Sequence, residues 1–368
     1  MQRRRRDRPR VRPDLGVPRL RRPRRVAGPA RGRAGVTLKI GIGLYTGQGR
    51  DYRDAVPLAV AAEQAGFDSF WVTEHHGLPD GYLPSPLPVL AALAPMTTRI
   101  ELGTGLVLAP LHHPLRLAED AVVVDRLSGG RLILGLGLGY ASHEYRAFGV
   151  SPATRGARLG ALVGALRDAW TGEPFSAPAL DLHDVRVTPT PTRPIPIWLG
   201  GYAATAVARA GRIADGHLVG RGAPHIVDAA SAQLAEVRDP SDPTFTRAVN
   251  VTCVLDAPGG GAASARTGFE AQQLVYESIQ AGRPVYAGLV GDPSGSTGLA
   301  LGSIDEYVQV AGDVDEVVAG LRAVLDGLRG WADIHLVLRV LFPEPDLDVQ
   351  LTRLATFGEQ VLPELKEA

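Results

Sequence analysis

The stretch Gly66-Phe67-Asp68-Ser69-Phe70-Trp71-Val72-Thr73-Glu74-His75-His76 decides how this chain is read. A glycine of the kind that closes helices precedes an apolar run, Phe70 to Val72. That run leads directly into an acid and two adjacent histidines. A strand that ends in a titratable cluster is how a parallel α/β protein brings chemistry to the carboxyl edge of its sheet.

The same rhythm repeats outward from this point. Strands are expected over 38–44, 70–73, 100–108, 131–138, 195–199, 217–220, 247–255 and 334–342. Helices are expected over 51–66, 88–95, 114–127, 153–171, 203–214, 224–238, 263–281, 313–329 and 346–365. Gly66 should end the first helix, and Ser128-Gly129-Gly130 the third. Strand–helix alternation implies a parallel sheet, and eight such units imply a closed (βα)8 TIM barrel. An open doubly wound sheet is the alternative, but it rarely needs eight units. The reading is one α/β domain over 36–368, with a Gly/Pro-rich stretch at 283–304 long enough to be a mobile loop or lid.

Composition narrows the function classes. With 368 residues, 45% of them hydrophobic, the chain can fill a large core. A single cysteine, Cys253, excludes an intramolecular disulfide and argues for a reducing, cytoplasmic setting. No apolar run reaches the roughly 18 residues of a membrane helix, and the basic N-terminus lacks the apolar core of a signal peptide. The formal net charge of zero hides an asymmetry: residues 1–33 hold 14 arginines and two acids, leaving a body of net charge −12. Residues 1–35 read as a disordered Arg/Pro-rich tail. A solvated extension, or a start assigned upstream of Val36, explains this tail better than a nucleic-acid arm does.

Several strand ends carry groups suited to chemistry. His75 and His76 can move protons near neutral pH. Neighbouring side chains on an extended segment point opposite ways, so one histidine should face the barrel mouth and the other turn away. A metal set of Glu74, His75, His76 and His113 is disfavoured, because the His-x-x-x-His helical spacing of a zinc site is absent. Thr104 and Gly105 end the third strand, where the backbone can approach a ligand closely. Gly135, Gly137 and Gly139 alternate before Tyr140. They offer either a bare face for a planar ring or tight packing inside the barrel, with equal weight. His143, Glu144 and Tyr145 follow near the same mouth. Gly200, Gly201, Tyr202 and Ala203 open a helix, whose free N–H groups suit a phosphate.

In order, these pieces resemble the bacterial luciferase-like monooxygenase family of flavin-dependent enzymes. The matching residues run from Ala65 to His76, then Gly103-Thr104, His113 to Asp120, Asp125 to Arg131, Glu144 to Gly149, and Leu362-Pro363-Glu364-Leu365-Lys366. The resemblance covers about 38–368 and is strongest over 38–216. It implies the same (βα)8 barrel, with reduced FMN at the mouth and molecular oxygen inserted into a small organic substrate such as an aldehyde or ketone. It places the family's catalytic histidine on His75, with His113 and Glu144 as further catalytic candidates. It implies cofactor contacts from Thr104, Gly105, Gly137, Gly139, Tyr140, Gly200, Gly201, Tyr202 and Ala203, and a non-proline cis peptide near Gly105 and Leu106. A separate flavin reductase, a homo-oligomer and no nucleic-acid or membrane partner are expected with it.

Two departures stand out. Leu138 occupies the position where the luciferase itself has a phosphate-gripping arginine, and Gly137 replaces the neighbouring cysteine. Phosphate binding then rests more on Gly200 to Ala203 or on another basic group. A deazaflavin-dependent oxidoreductase that transfers hydride is therefore an alternative reading, as is a flavin-binding barrel without turnover. Glu74 is left without a role.

Overall fold

Eight parallel strands close on themselves and bring their carboxyl ends to one mouth. The computed structural model describes residues 31–32, 36–44, 51–78, 80–256, 267, 270, 308–340 and 346–366. The strands are β1 (Val36–Gly43), β2 (Ser69–Val72), β3 (Glu101–Thr104), β4 (Leu132–Gly137), β5 (Ile197–Gly200), β6 (Gly216–Val219), β7 (Thr246–Leu255) and β8 (Asp333–Arg339). Each pairs with its sequence neighbour, and β8 closes on β1, with Ile334 opposite Leu38. The expected tail, 1–35, lies outside the described residues except for Arg31–Gly32, which pairs antiparallel with β1. The expected loop at 283–304 and most of the expected helix at 263–281 lie outside them too.

The helices pack outside the strands. They are α1 (Ala55–Ala65), α2 (Pro86–Leu93), α3 (Pro114–Ser128), α4 (Ser142–Ala147), α5 (Arg155–Ala169), α6 (Ala204–Ile213), α7 (Pro224–Ala235), α8 (Val314–Asp326), α9 (Leu347–Thr356) and α10 (Leu362–Lys366). Gly66 ends α1 at φ +95° and Gly129 ends α3 at φ +69°, both in the left-handed region that a side chain would strain. No helix among the described residues is long and apolar enough to cross a membrane.

Three local features depart from the expected pattern. The strand expected over 100–108 is broken after Thr104, at the cis Gly105–Leu106 peptide that the resemblance implied, and resumes as the short strand Val107–Leu108 beside β4. Phe175–Ala177 and Leu182–Val185, which are not among the expected strands, form a small antiparallel hairpin. The short helix α4 was not expected, because six residues carry too little periodicity to announce a helix.

Two apolar layers hold the barrel. The larger lies between strands and helices, and includes Phe67, Phe70, Leu90, Leu134, Leu199 and Phe357. The smaller fills the barrel itself with Trp71, Ile133, Trp198, Leu218, Ala248 and Val337, joined by Leu106. Trp71 and Trp198 stack with ring centroids 4.9 Å apart. Beneath them, Ser69 Oγ accepts from Trp71 Nε1–H (2.6 Å) and is hydrogen-bonded to His335 Nε2 (2.6 Å). Inward residues recur every second position along a strand. Gly137, Gly200, Asn250 and Arg339 therefore face inward above this layer, nearer the mouth.

Candidate active site

The end of β2 is tied down before it turns polar. His75 N–H donates to Leu83 O (3.0 Å), which docks the strand end against the following loop. The His75 ring is then fixed at both nitrogens. Nδ1 lies 3.0 Å from Glu144 Oε1, and Nε2 lies 3.2 Å from the Tyr140 hydroxyl. Tyr82 and Tyr140 meet the ring edge-on, at 5.0 and 5.3 Å between centroids. Glu144 is fully buried, and its Oε1 also accepts the His76 N–H (2.8 Å). Its Oε2 has no hydrogen-bond partner among the described residues.

Glu74 organises a second cluster on the other side of the strand end. Its Oε1 accepts Nε2–H from both His76 and His112 (2.8 Å each), and Oε2 accepts the Leu108 N–H (2.9 Å). Burial pushes this carboxyl up. The hydrogen bonds from His112, His76 and Leu108 and the charge on His112 outweigh burial and hold it at about 2. His75 and His76 thus have different partners, His75 toward Tyr140 and His76 toward Glu74. His113, expected among the catalytic candidates, is exposed and caps nothing at the start of α3. Its neighbour His112 is the one that reaches Glu74. The two imidazoles on Glu74 are engaged by the carboxylate, and no metal-holding group of His, Cys, Asp and Glu occurs among the described residues.

The glycine-rich strand ends are closely packed against specific side chains. A Cβ at Gly103 would lie 2.3 Å from the Trp71 ring, and one at Gly200 would lie 2.2 Å from Leu106 Cδ1. Gly137 meets the same Leu106. Of the two readings of the alternating glycines, Gly135 and Gly137 show close packing against Leu106, which Gly200 also meets. The Thr104 hydroxyl lies within the wall, donating to Gly135 O and accepting Gly135 N–H (2.8 Å each). Gly139, at φ +71°, lies against Leu108 and Tyr145 and turns the chain toward Tyr140.

On the opposite wall, a buried relay shapes the turn before α6. Arg247 Nη1 donates to His217 Nδ1 (3.3 Å), so His217 Nε2–H donates to Gly201 O (3.0 Å). Burial and the Arg247 charge push His217 down to about 3, which keeps the ring neutral. Gly201 sits at φ +146°, and Ala203 is the N-cap of α6. The Tyr202 ring is about half exposed, but its hydroxyl tip turns in over Gly220. Burial of that tip raises the phenol, while the charges of Arg221 and Arg339 act against the rise. Arg221 follows β6 and Arg339 ends β8, and both charges act on Tyr202, the residue before the α6 N-cap.

Comparison with known proteins agrees with this fold. The profile of the luciferase-like monooxygenases matches residues 33–287. The chain belongs to the luciferase-like monooxygenase family. Among its relatives, 4-hydroxyprotoasukamycin monooxygenase of Streptomyces nodosus subsp. asukaensis is 28% identical over 315 residues, 78% of this chain and 83% of the relative. An F420-dependent glucose-6-phosphate dehydrogenase of Nakamurella multipartita is 31% identical over 326 residues, 84% and 91% of the two chains. A solved monooxygenase from Streptomyces bottropensis superposes with a TM-score of 0.71 at 22% identity, covering 89% of this chain and 99% of that one, and shares the fold.

For this luciferase-like oxidoreductase, sequence reasoning missed Tyr82, His112, Arg221, Asn250 and Arg339. Arg221 and Arg339 carried a signal, since a basic residue at the carboxyl end of a barrel strand faces the site. Asn250 interrupts the inward series Ala248, Asn250, Thr252 of β7. Its Oδ1 is buried with no hydrogen-bond partner among the described residues. An apolar floor at Leu106, an unsatisfied amide oxygen and two cations acting on the residue before a helix N-cap suit a flat ligand that carries a phosphate.

Proposed function

We propose that this chain is a flavin-dependent monooxygenase that uses reduced FMN and molecular oxygen to oxygenate a small organic substrate. The observation that carries the reading is His75 at the barrel mouth, with one nitrogen held by Glu144 and the other turned to Tyr140. The flavin ring would lie near Leu106, Gly137 and Gly139, with its phosphate toward Gly200 to Ala203, Arg221 and Arg339. Asn250 Oδ1 would accept an N–H from the ring or the substrate. The bound reduced flavin supplies the electrons that activate oxygen. The chain's own part is to bind and orient the ring, exclude water, and hold a proton at His75. A separate reductase would deliver the reduced flavin, and a homo-oligomeric, cytoplasmic protein fits the same reading.

The test is the spectrum and mass of the flavin retained on purification, followed by oxygen uptake with enzymatically reduced FMN and a panel of aldehydes and ketones. Retained FMN and substrate-dependent uptake support the reading. His75→Ala is expected to keep FMN and lose oxygenation by about 10²-fold or more, as for loss of a general acid/base. A second reading, hydride transfer with a deazaflavin, is favoured by the 31% identity to an F420-dependent dehydrogenase over most of both chains. Retained deazaflavin, with turnover that needs no oxygen, would replace the first reading with this one. Bound flavin without turnover under either condition would leave a binding barrel.

A further inference from the structure

The three groups Glu144, His75 and Tyr140 form an ordered line. A carboxylate has no proton to give, so the 3.0 Å contact fixes the His75 proton on Nδ1, donated to Glu144 Oε1. Nε2 then carries a lone pair, and the Tyr140 hydroxyl 3.2 Å away donates to it. Glu144 is held in place by the His76 N–H on the same oxygen, and its burial keeps water from competing for the imidazole. Tyr140 is partly exposed and follows Gly139, at the end of β4 where the mouth opens. The outermost member of the line is therefore the phenol, not the imidazole.

We infer that Tyr140 is a catalytic residue that takes a proton from the bound substrate and passes its own to His75, with Glu144 as the positioning residue that holds His75 ready to receive it. This rests on the proposed oxidoreductase reading and serves either cofactor, since both reactions can begin by removing a proton from an O–H or another acidic X–H of the substrate. The step balances. The substrate X–H bond breaks and its electron pair stays on X. The proton bonds to the Tyr140 oxygen as the original phenol O–H breaks, and that second proton bonds to His75 Nε2. Tyr140 ends neutral, His75 ends as imidazolium, and the Glu144 carboxylate balances its charge. Substrates with an acidic hydroxyl, such as phenols, enols, alcohols and carbonyl hydrates, are the class that fits.

The titratable groups around His75 are Glu144 from α4, Tyr140 from the β4 end, Tyr82 from the following loop, and Glu74 and His76 on its own segment. His143 and His112 act one shell further out, through the His76 carbonyl and Glu74. The test uses Tyr140→Phe and Glu144→Gln, which keep ring and volume. The first readout needs no turnover: nitrogen-15 NMR of His75 in the flavin-free protein. The expected result is Nδ1–H with an unprotonated Nε2 near pH 8. Glu144→Gln should weaken the Nδ1–H hydrogen bond and shift the Nδ1 resonance, since the charged acceptor is lost. Tyr140→Phe should shift the Nε2 resonance and leave Nδ1–H in place. A proton on Nε2, or an Nδ1 resonance unmoved in Glu144→Gln, overturns the relay whatever the protein catalyses.

The second readout is turnover by whichever flavin the protein retains. Tyr140→Phe should lose about 10²-fold or more in kcat while flavin affinity stays within about twofold. Glu144→Gln should move the acidic limb of kcat/KM to lower pH as well as lowering its plateau. A merely structural role for Glu144 would lower the plateau and leave the limb in place. Full activity in Tyr140→Phe would assign the proton transfer to His75 directly. A wild-type protein with no turnover would remove the proposed function, while the NMR arm would still judge the hydrogen-bonded line.

Discussion

Glu74 shows how much one buried carboxylate organises. It receives two imidazoles and a backbone N–H, linking the strand-two end to the loop after the cis peptide. Glu74→Ala leaves all three donors without their acceptor, and is expected to lower stability by about 1–3 kcal/mol at pH 7. Urea unfolding measures it. The pH dependence follows from a folded carboxyl at about 2 against an ordinary value of 4.5. A depressed acid stabilises the fold above the ordinary value, and loses that contribution as pH falls toward the folded one. The gap between wild type and Glu74→Ala should therefore narrow from about pH 4.5 downward. A gap that stays constant to pH 2.5 would mean the carboxylate is not what stabilises the cluster.

Among the elements, the glycines separate into two kinds by what surrounds them. Gly103 on β3 faces Trp71, and a Cβ there would overlap the indole at 2.3 Å. Gly103→Ala should destabilise by about 1–3 kcal/mol, because the stacked Trp71–Trp198 pair has no room to retreat. Gly160 and Gly164 lie within α5 with nothing near their Cβ positions. Replacing each by Ala should stabilise by up to about 1 kcal/mol through helix propensity alone. Thermal melts of the three variants check both signs together. A stabilised Gly103→Ala would show that the barrel interior is looser than its contacts indicate. The sequence could mark all three as glycines in periodic segments, but could not tell which kind each was. That depends on Trp71, contributed by a different strand.

Over the whole molecule, buried neutral histidines set the response to acid. Burial and the Arg247 charge hold His217 at about 3, and burial with Lys39 and Lys366 pushes His335 well below its ordinary value of 6.5. Both rings stay neutral in the fold and gain a proton only on unfolding as pH drops below 6.5. The unfolded state then binds more protons, so stability falls with pH by about 1.4 kcal/mol per unit for each such group until the folded value is reached. Denaturant midpoints from pH 7.5 to 4 should decline steadily, and more shallowly in His217→Asn. A flat profile over that range would show that these rings are not held neutral. Cys253 is equally enclosed, and burial pushes its thiol up. It is no candidate for chemistry.

The amino-acid sequence alone determined the barrel. Strand and helix periodicities are local, and eight alternations leave a closed parallel sheet as the natural way to bury every strand on both faces. It also placed His75 at the carboxyl end of β2, because a strand-end histidine is visible in one short window. The tertiary structure decided the partners. Glu144 meets His75 across 69 positions, and Glu74 meets His112 across 38. Nothing local distinguishes His112 from His113, yet one turns inward to an acid and the other lies exposed. Hydrogen bonding acts over about 3 Å with a required direction. Which residues meet at that range is fixed only once β2, the β3 loop and α4 are packed around one mouth.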